Sequence, residues 1–231
     1  MKRLIAAALL LAAPLFAQPP QRTTKLVTLK YADPNALYSM VRLFGVEVQM
    51  NSSLKTMALS GSPENIAAAE TAIKQLDVAP KNVELIAYFV IGSNQPNPGG
   101  GAVPAALQDV IAQLKNAFAF KEYTMLDTLT LRARTGSDAS TTGVLDAGSV
   151  PRLSLFSIRN VTVGEDGTIR IDRMHAGVRL PQTSQSKIEY LNTGIDQDVD
   201  VKEGQKIVVG RTSLAGPEKA LFIVLTAKVV Q

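Results

Sequence analysis

The chain predicts an α+β protein. A small βαββαβ domain, its two helices on one face of the sheet, is followed by a helix and an antiparallel β-rich domain. Three observations predict this. Residues 25–91 interleave short alternating runs with two stretches that open on a polar cap and Pro and then carry apolar residues at helical spacing. Residues 92–104 (GSNQPNPGGGAVP) break that pattern with Gly and Pro. Beyond Phe120 the apolar residues alternate with period two between Gly-bearing turns. At 231 residues, 46% hydrophobic and 19% charged, the chain can bury a core in one or two domains and is not a disordered polyelectrolyte.

The first segment reads as an export leader. Met1-Lys2-Arg3 is charged, Leu4 to Ala13 carries no charge, and Pro14-Leu15-Phe16-Ala17 ends on a small residue before polar Gln18. The expectation is a signal peptide at 1–17, too short to persist as a span across a hydrocarbon core of about 30 Å. No charge-free run of spanning length follows, so no transmembrane helix is expected in the mature chain. The formal net charge of +4 falls to +2 without Lys2 and Arg3, and no run of Lys or Arg marks a nucleic-acid binder. There is no Cys, which excludes disulfides, thiolate metal sites and Cys nucleophiles.

Each element has a local reason. Lys25 to Tyr31 alternates with Val27, Leu29 and Tyr31 on one face, a half-buried strand. Asp33-Pro34 caps a helix with Leu37, Met40, Val41 and Phe44 on its stripe, and Gly45 stops it. Val46, Val48 and Met50 alternate in a second strand, and Asn51-Ser52-Ser53 turns into a third that holds Met57 and Leu59 and ends at Gly61. Ser62-Pro63-Glu64 opens a second capped helix with Ile66, Ala69, Ile73 and Leu76 on its stripe. Asn82 to Ile91 closes the domain as its last strand.

Residues 92–104 read as a linker. Gly99-Gly100-Gly101 lacks the following Lys and Ser/Thr of a phosphate cradle. Residues 105–231 then form the β-rich domain with one helix, Leu107, Val110, Ile111, Leu114 and Phe118 on its stripe. Strands are expected at Tyr123–Arg134, Arg152–Val163, Thr168–Leu180, Ser186–Val201, Gln205–Gly210 and Ala220–Val230, with a Ser/Thr/Gly-rich loop at Thr135–Gly148. Gly167 and Gly204 mark hairpin turns.

The chemistry of catalysis is sparse. His175 is the only His and lies within a predicted strand, away from any triad signature. Asp196, Asp198 and Asp200 alternate, so a regular strand puts all three carboxylates on one solvated face. The Gly and Glu that a calcium loop needs are replaced by Val201 and Ile207. No catalytic, cofactor-binding or metal residue is assigned, and no cofactor is expected.

Lys25-Leu26-Val27-Thr28-Leu29-Lys30-Tyr31-Ala32-Asp33, Leu59-Ser60-Gly61-Ser62-Pro63-Glu64 and Ile73-Lys74-Gln75-Leu76-Asp77 resemble the short periplasmic repeat domain of the bacterial secretins. Asp198 to Gly210, followed by Ala220 to Ala227, is similar to the end of the secretin core. The chain departs from that family between Gly210 and Ala220, where Arg211 to Lys219 is short and polar and a membrane hairpin is expected to be lacking. The resemblance implies a structural protein, not an enzyme, located in the periplasm and associated with the outer membrane. It implies a part in protein secretion or type IV pilus systems through ring assembly or protein–protein contact. Envelope or secretion-system proteins and further copies of the chain are the implied partners, and nucleic acid is not. The exposed faces of the two capped helices and the strand at Val46–Met50 are the candidate contact surfaces. Two alternatives stay open from the residues: an envelope ligand- or protein-binding module unrelated to secretion, and a hydrolase.

Overall fold

The computed structural model describes residues 22–96, 100–146, 151–184, 187–214 and 216–230. The expected leader at 1–17 lies outside them. The chain divides into two units, Met1–Ala79 and Pro80–Gln231, and the fold is α+β with antiparallel sheets.

The first unit contains β1 (Thr23–Thr28), α1 (Pro34–Arg42), β2 (Glu47–Asn51), β3 (Thr56–Gly61) and α2 (Pro63–Leu76). Its sheet runs β1-β3-β2, with Leu26 opposite Ala58 and Val48 opposite Leu59. Period-two alternation sends Met57 and Leu59 of β3 to the same side, and both are fully buried. They meet Leu37 and Val41 of α1 and Ile66, Ala69 and Ile73 of α2, so the helices share one face of the sheet. Both helix starts are built as the sequence indicates. The Asp33 side chain accepts the Asn35 N–H at 2.8 Å and Ser62 Oγ accepts the Asn65 N–H at 3.3 Å, with Pro34 and Pro63 in the first turns. Gly45, at φ 72°, lets the chain leave α1.

Four side chains depart from their expected faces, Met50 of β2 being exposed along with the three that follow. Tyr31 is half exposed because β1 ends at Thr28; Met40 and Leu76 are exposed as well. The early end of β1 has a visible cause. Asp77, just past α2, accepts the N–H groups of Lys30, Tyr31 and Ala32 at 2.7, 2.7 and 2.8 Å, which bends that segment out of the strand. Partial burial pushes the Asp77 carboxyl up, but the three N–H donors and nearby Lys30 outweigh this and hold it below its ordinary value.

The second unit contains β4 (Asn82–Ser93), a 3-10 turn at Ala105–Leu107, α3 (Gln108–Ala117), β5 (Glu122–Arg134), β6 (Ala139–Asp146), β7 (Arg152–Ile158), β8 (Asn160–Val163), β9 (Thr168–Ser184), β10 (Lys187–Lys202), β11 (Lys206–Ser213) and β12 (Lys219–Val230). One sheet runs β11-β12-β4-β5; the other runs β10-β9-β7-β6, with β8 also paired to β9. The sheets face each other across one core. Val83, Leu85, Ala87 and Phe89 of β4 and Leu221, Ile223 and Leu225 of β12 meet Phe156, Ile171, Met174 and Ala176 of the other sheet. The opposite faces of β4 and β12 present Val90, Phe222 and Val224 to Leu107, Val110, Ile111 and Leu114, so α3 and the turn before it cover one part of the outer face.

This corrects the expected course of the strand at Asn82–Ile91. It does not close the first sheet; it lies between β12 and β5, with Phe89 opposite Ile223 and Leu85 opposite Leu131. The physical reason is its composition. Val83 to Ile91 is apolar on both faces but for Glu84, and only a position covered from two sides buries both. The segment expected as a linker at 92–104 accordingly belongs to the second unit. It begins inside β4, and Gly101 exchanges two 2.9 Å backbone hydrogen bonds with Met125 on the outer edge of β5. Residues 97–99 of that segment lie outside the described residues.

Two further expectations change. The loop at Thr135–Gly148 contains β6, whose Thr-rich alternation is stabilised by pairing with β7. The strand at Arg152–Val163 divides at Arg159, opposite a bulge where Arg173 takes φ 48°. Gly167 and Gly204 turn the hairpins at φ 76° and 75° as expected.

Candidate contact surfaces

Sheet edges dominate the accessible chemistry. In the second unit β6 and β10 close the two sides of the five-stranded sheet, each with a backbone ladder on one side only among the described residues. On its other side β10 reaches β11 through the Gln197 and Thr193 side chains. β10 is long and pairs with β9 from Lys187 to Lys202. β7 joins β9 only from His175 to Arg179, so the hairpin continues past that pairing as a two-stranded ribbon toward Ser184 and Lys187. Tyr190 and Leu191 are exposed on it, with the Arg179 guanidinium 5.8 Å from the Tyr190 ring centroid. Unpaired N–H and C=O groups along such edges are templates for another strand.

The expected surfaces of the first unit are present as exposed faces. β2, the strand expected at Val46–Met50, pairs only with β3, and Glu47 is exposed and bonded to Arg22 at 3.3 Å. Val46 itself is buried. On α1, Met40 and the following Leu43 are exposed, Leu43 at 85%. On α2, Glu70 reaches Lys25 of β1 at 2.7 Å, which ties the helix to the sheet margin.

The three alternating carboxylates do not act as a set. The register shift beside Gln197 and Val199 puts its extra residue in β9. Along β10, Asp196, Asp198 and Asp200 are exposed while Val199 and Val201 are buried, as the alternation predicts. Asp196 lies 2.8 Å from His175 Nδ1, Asp198 accepts the Arg173 N–H at 2.7 Å, and Asp200 lies 3.9 Å from Arg170 Nε. Each carboxylate answers a different cation or N–H donor. No group of three or more His, Cys, Asp or Glu among the described residues is placed to hold a metal ion.

A polar contact missed by sequence reasoning sits where β5 meets β6 and β7. Ser154, fully buried, donates to Asp127 Oδ2. Gly143 of β6 lies against both groups and leaves no room for a Cβ. Nothing in the sequence signals this, since the three residues come from three strands. Among the described residues no helix is long and apolar enough to cross a membrane, a statement that leaves strands aside.

Residues 24–82 match the family described as the bacterial type II/III secretion system short domain. No curated protein sequence matches the chain significantly. Solved structures do. The fold is similar to the type II secretin GspD from enteropathogenic Escherichia coli, with a TM-score of 0.59 and 11% identity over 90% of this chain and 87% of that chain. It is similar to the InvG secretin domain β-barrel of the Salmonella SPI-1 injectisome, with a TM-score of 0.55 and 14% identity over 92% and 89%. The type IV competence pilus secretin PilQ of V. cholerae gives a TM-score of 0.58 and 13% identity over 94% and 79%. Identities this low establish a shared fold. The chain is thus similar to the bacterial secretins in two ways: residues 24–82 match their systems' short domain, and nine-tenths of its length shares their fold.

Proposed function

We propose that this chain is an exported envelope protein, a secretin-related module that works by contacting proteins and by assembling with further copies of itself, not by catalysis. One observation carries the proposal. The five-stranded sheet ends on two strands, β6 and β10, neither of which has a backbone-paired strand on its outer side among the described residues. Side chains do join β10 to β11, Gln197 Nε2 donating to Val209 O at 2.9 Å and Thr193 bonding Thr212 at 3.2 Å. Pairing β6 of one copy with β10 of the next is a head-to-tail contact, which closes into a ring when its rotation divides a full turn. The fold likeness to an injectisome secretin domain described as a β-barrel supports the same reading.

The partner classes follow from the similar structures. One contains the secretin GspD with the pilotin AspS, and another contains InvG with the basal body proteins PrgH and PrgK. Envelope proteins of secretion or pilus systems are therefore the proposed partners, and a periplasmic site associated with the outer membrane is the proposed location.

The test is the oligomeric state of the mature chain, residues 18–231, by light scattering and native mass spectrometry across concentration. A closed oligomer that Thr142→Lys with Val144→Lys on β6 dissociates supports the reading. A monomer at every concentration, with unchanged behaviour of the β6 variant, refutes self-assembly.

A further inference from the structure

We infer that the outer face of the four-stranded sheet, organised around Arg211, receives an acidic segment of a partner protein. This goes beyond the contacts between copies proposed above, which use the edges of the other sheet.

Arg211 is held by aromatic rings. Its guanidinium carbon lies 5.3 Å from the Phe118 ring centroid and 5.4 Å from that of Phe120. The rings are fixed in turn. Phe118 and Phe120 pack on Phe222 with centroids 5.1 and 5.9 Å apart, and Tyr123 Oη donates to Leu114 O at 3.0 Å. Arg211 has no hydrogen-bond or ion-pair acceptor among the described residues. Stacking has therefore already removed much of its rotamer freedom while its donors stay unused. A guanidinium prepared in this way suits a carboxylate, which it can bind through two parallel hydrogen bonds.

The rest of the face adds charge of the same sign. Lys206 lies on the same strand, with exposed Val208 between them. Across the sheet, Glu84 of β4 is shared by Lys228 of β12 at 2.9 Å and Arg132 of β5 at 3.0 Å. The Lys228 and then the Arg132 hydrogen bond hold the Glu84 carboxyl below its ordinary value. Its side chain is 12% exposed, against 55% for Lys228 and 69% for Arg132, so the carboxylate lies beneath its two cations. Arg134, two residues along β5 from Arg132, is exposed and has no acidic partner among the described residues. Glu203 lies at the margin with its carboxylate on the Val229 N–H. Five cations thus lie on this face, Lys206, Lys228, Arg132 and Arg134 around the inward Glu84 toward one end and Arg211 toward the other, while the formal excess of the whole chain is only +4. Lys206, Lys228, Arg132 and Arg134 are about 7–10 Å from one to the next along and across the strands, near one Debye length at physiological salt, and reinforce one another. Arg211 stands about 20 Å along the strands from the Lys228 row and supplies a separate contact for an extended segment.

The occupant is a protein by its chemistry. Arginine on aromatic rings beside an exposed apolar side chain is the composition of a protein interface. The Phe faces that would stack nucleic-acid bases are already covered by Arg211. The part of the face that α3 leaves uncovered, with Val208 as its exposed apolar group, offers no deep anchor to a bilayer.

The experiment is fluorescence anisotropy of the mature chain with a short labelled peptide rich in Glu and Leu, over a salt series. Binding is expected at low salt, weakening as salt rises. Arg211→Ala is expected to weaken it about tenfold, and Arg211→Lys less, since charge survives without the planar fork. Arg134→Glu with Lys206→Glu is expected to weaken it further and carries the test if Arg211→Ala does not fold. Arg170→Glu, on the other sheet, is the control and is expected to leave affinity unchanged. An equal loss from Arg170→Glu overturns the inference in favour of net charge alone. Tighter binding of phosphatidylglycerol vesicles or of a single-stranded oligonucleotide at the same face also overturns it. The peptide assay reads the same whether or not copies assemble, so its failure is separate from that of the ring.

Discussion

Asp77 offers the sharpest perturbation of the first unit. Its two oxygens take three consecutive backbone N–H groups, Oδ2 from Lys30 and Oδ1 from Tyr31 and Ala32. They join the end of α2 to the segment between β1 and α1. A hydrogen bond to a charged group contributes about 1.5–3 kcal/mol when intact, and a partly solvated one lies at the low end. Asp77→Asn keeps one oxygen but turns an NH₂ toward a backbone donor, so at least one bond is lost and the remainder lose their charge. A net loss of about 2–3 kcal/mol is expected. In a unit of this size each kcal/mol moves the midpoint by about 4–8 °C.

The pH dependence has a definite sign. The folded carboxyl titrates below its ordinary value. Its contribution is therefore fully present above the unfolded pKa, about 3.9, and is lost as pH falls through the folded pKa. Asp77→Asn removes that dependence. The assay is hydrogen exchange of the Lys30, Tyr31 and Ala32 amides together with thermal melting of the mature chain at pH 7 and below pH 4. Equal protection of the three amides in wild type and variant, with melting unchanged within 2 °C, would show that this contact does not hold the unit together.

Three other outcomes are expected. Gly143→Ala places a Cβ against Ser154 Oγ and the Asp127 carboxylate and should cost about 1–3 kcal/mol in urea unfolding; full stability would mean that β6 shifts freely. Phe222→Ala removes a fully buried ring touching Phe118, Phe120 and Tyr123. It should cost about 3–5 kcal/mol and loosen α3, read as faster amide exchange at Ile111 and Leu114. Tyr123→Phe leaves the carbonyls of Leu114 and Phe118 without their Oη donor and should cost about 1–2 kcal/mol; a neutral result in thermal melting would indicate that water replaces the hydroxyl.

The short-range features of this protein were legible in its residues. Asp33-Pro34 and Ser62-Pro63 announce helix starts because a capping oxygen and a fixed φ act within a turn. Gly167 and Gly204 announce hairpins for the same local reason. The stripe Leu107, Val110, Ile111 and Leu114 announces the buried side of α3. The candidate edges were less legible, since an edge is defined by the strand that is absent beside it. β2 is legible through the alternation of Val46, Val48 and Met50, whereas β6 is hidden in a Ser/Thr-rich run whose strand character depends on β7. Arg211 looked like one residue of a polar connection; only the convergence of Phe118 and Phe120 on it made it distinctive.

Periodicity, caps and turns act over a few residues, so the sequence by itself determined the helices, most of the strands, the α+β class and the shared side of the two helices of the first unit. Partner choice acts between segments far apart in the chain, and tertiary structure decided it. The apolar run from Val83 to Ile91 specifies a strand covered on both faces, but many neighbours could supply that cover. β12 and β5 do so because together with α3 and the second sheet they bury both sides of it.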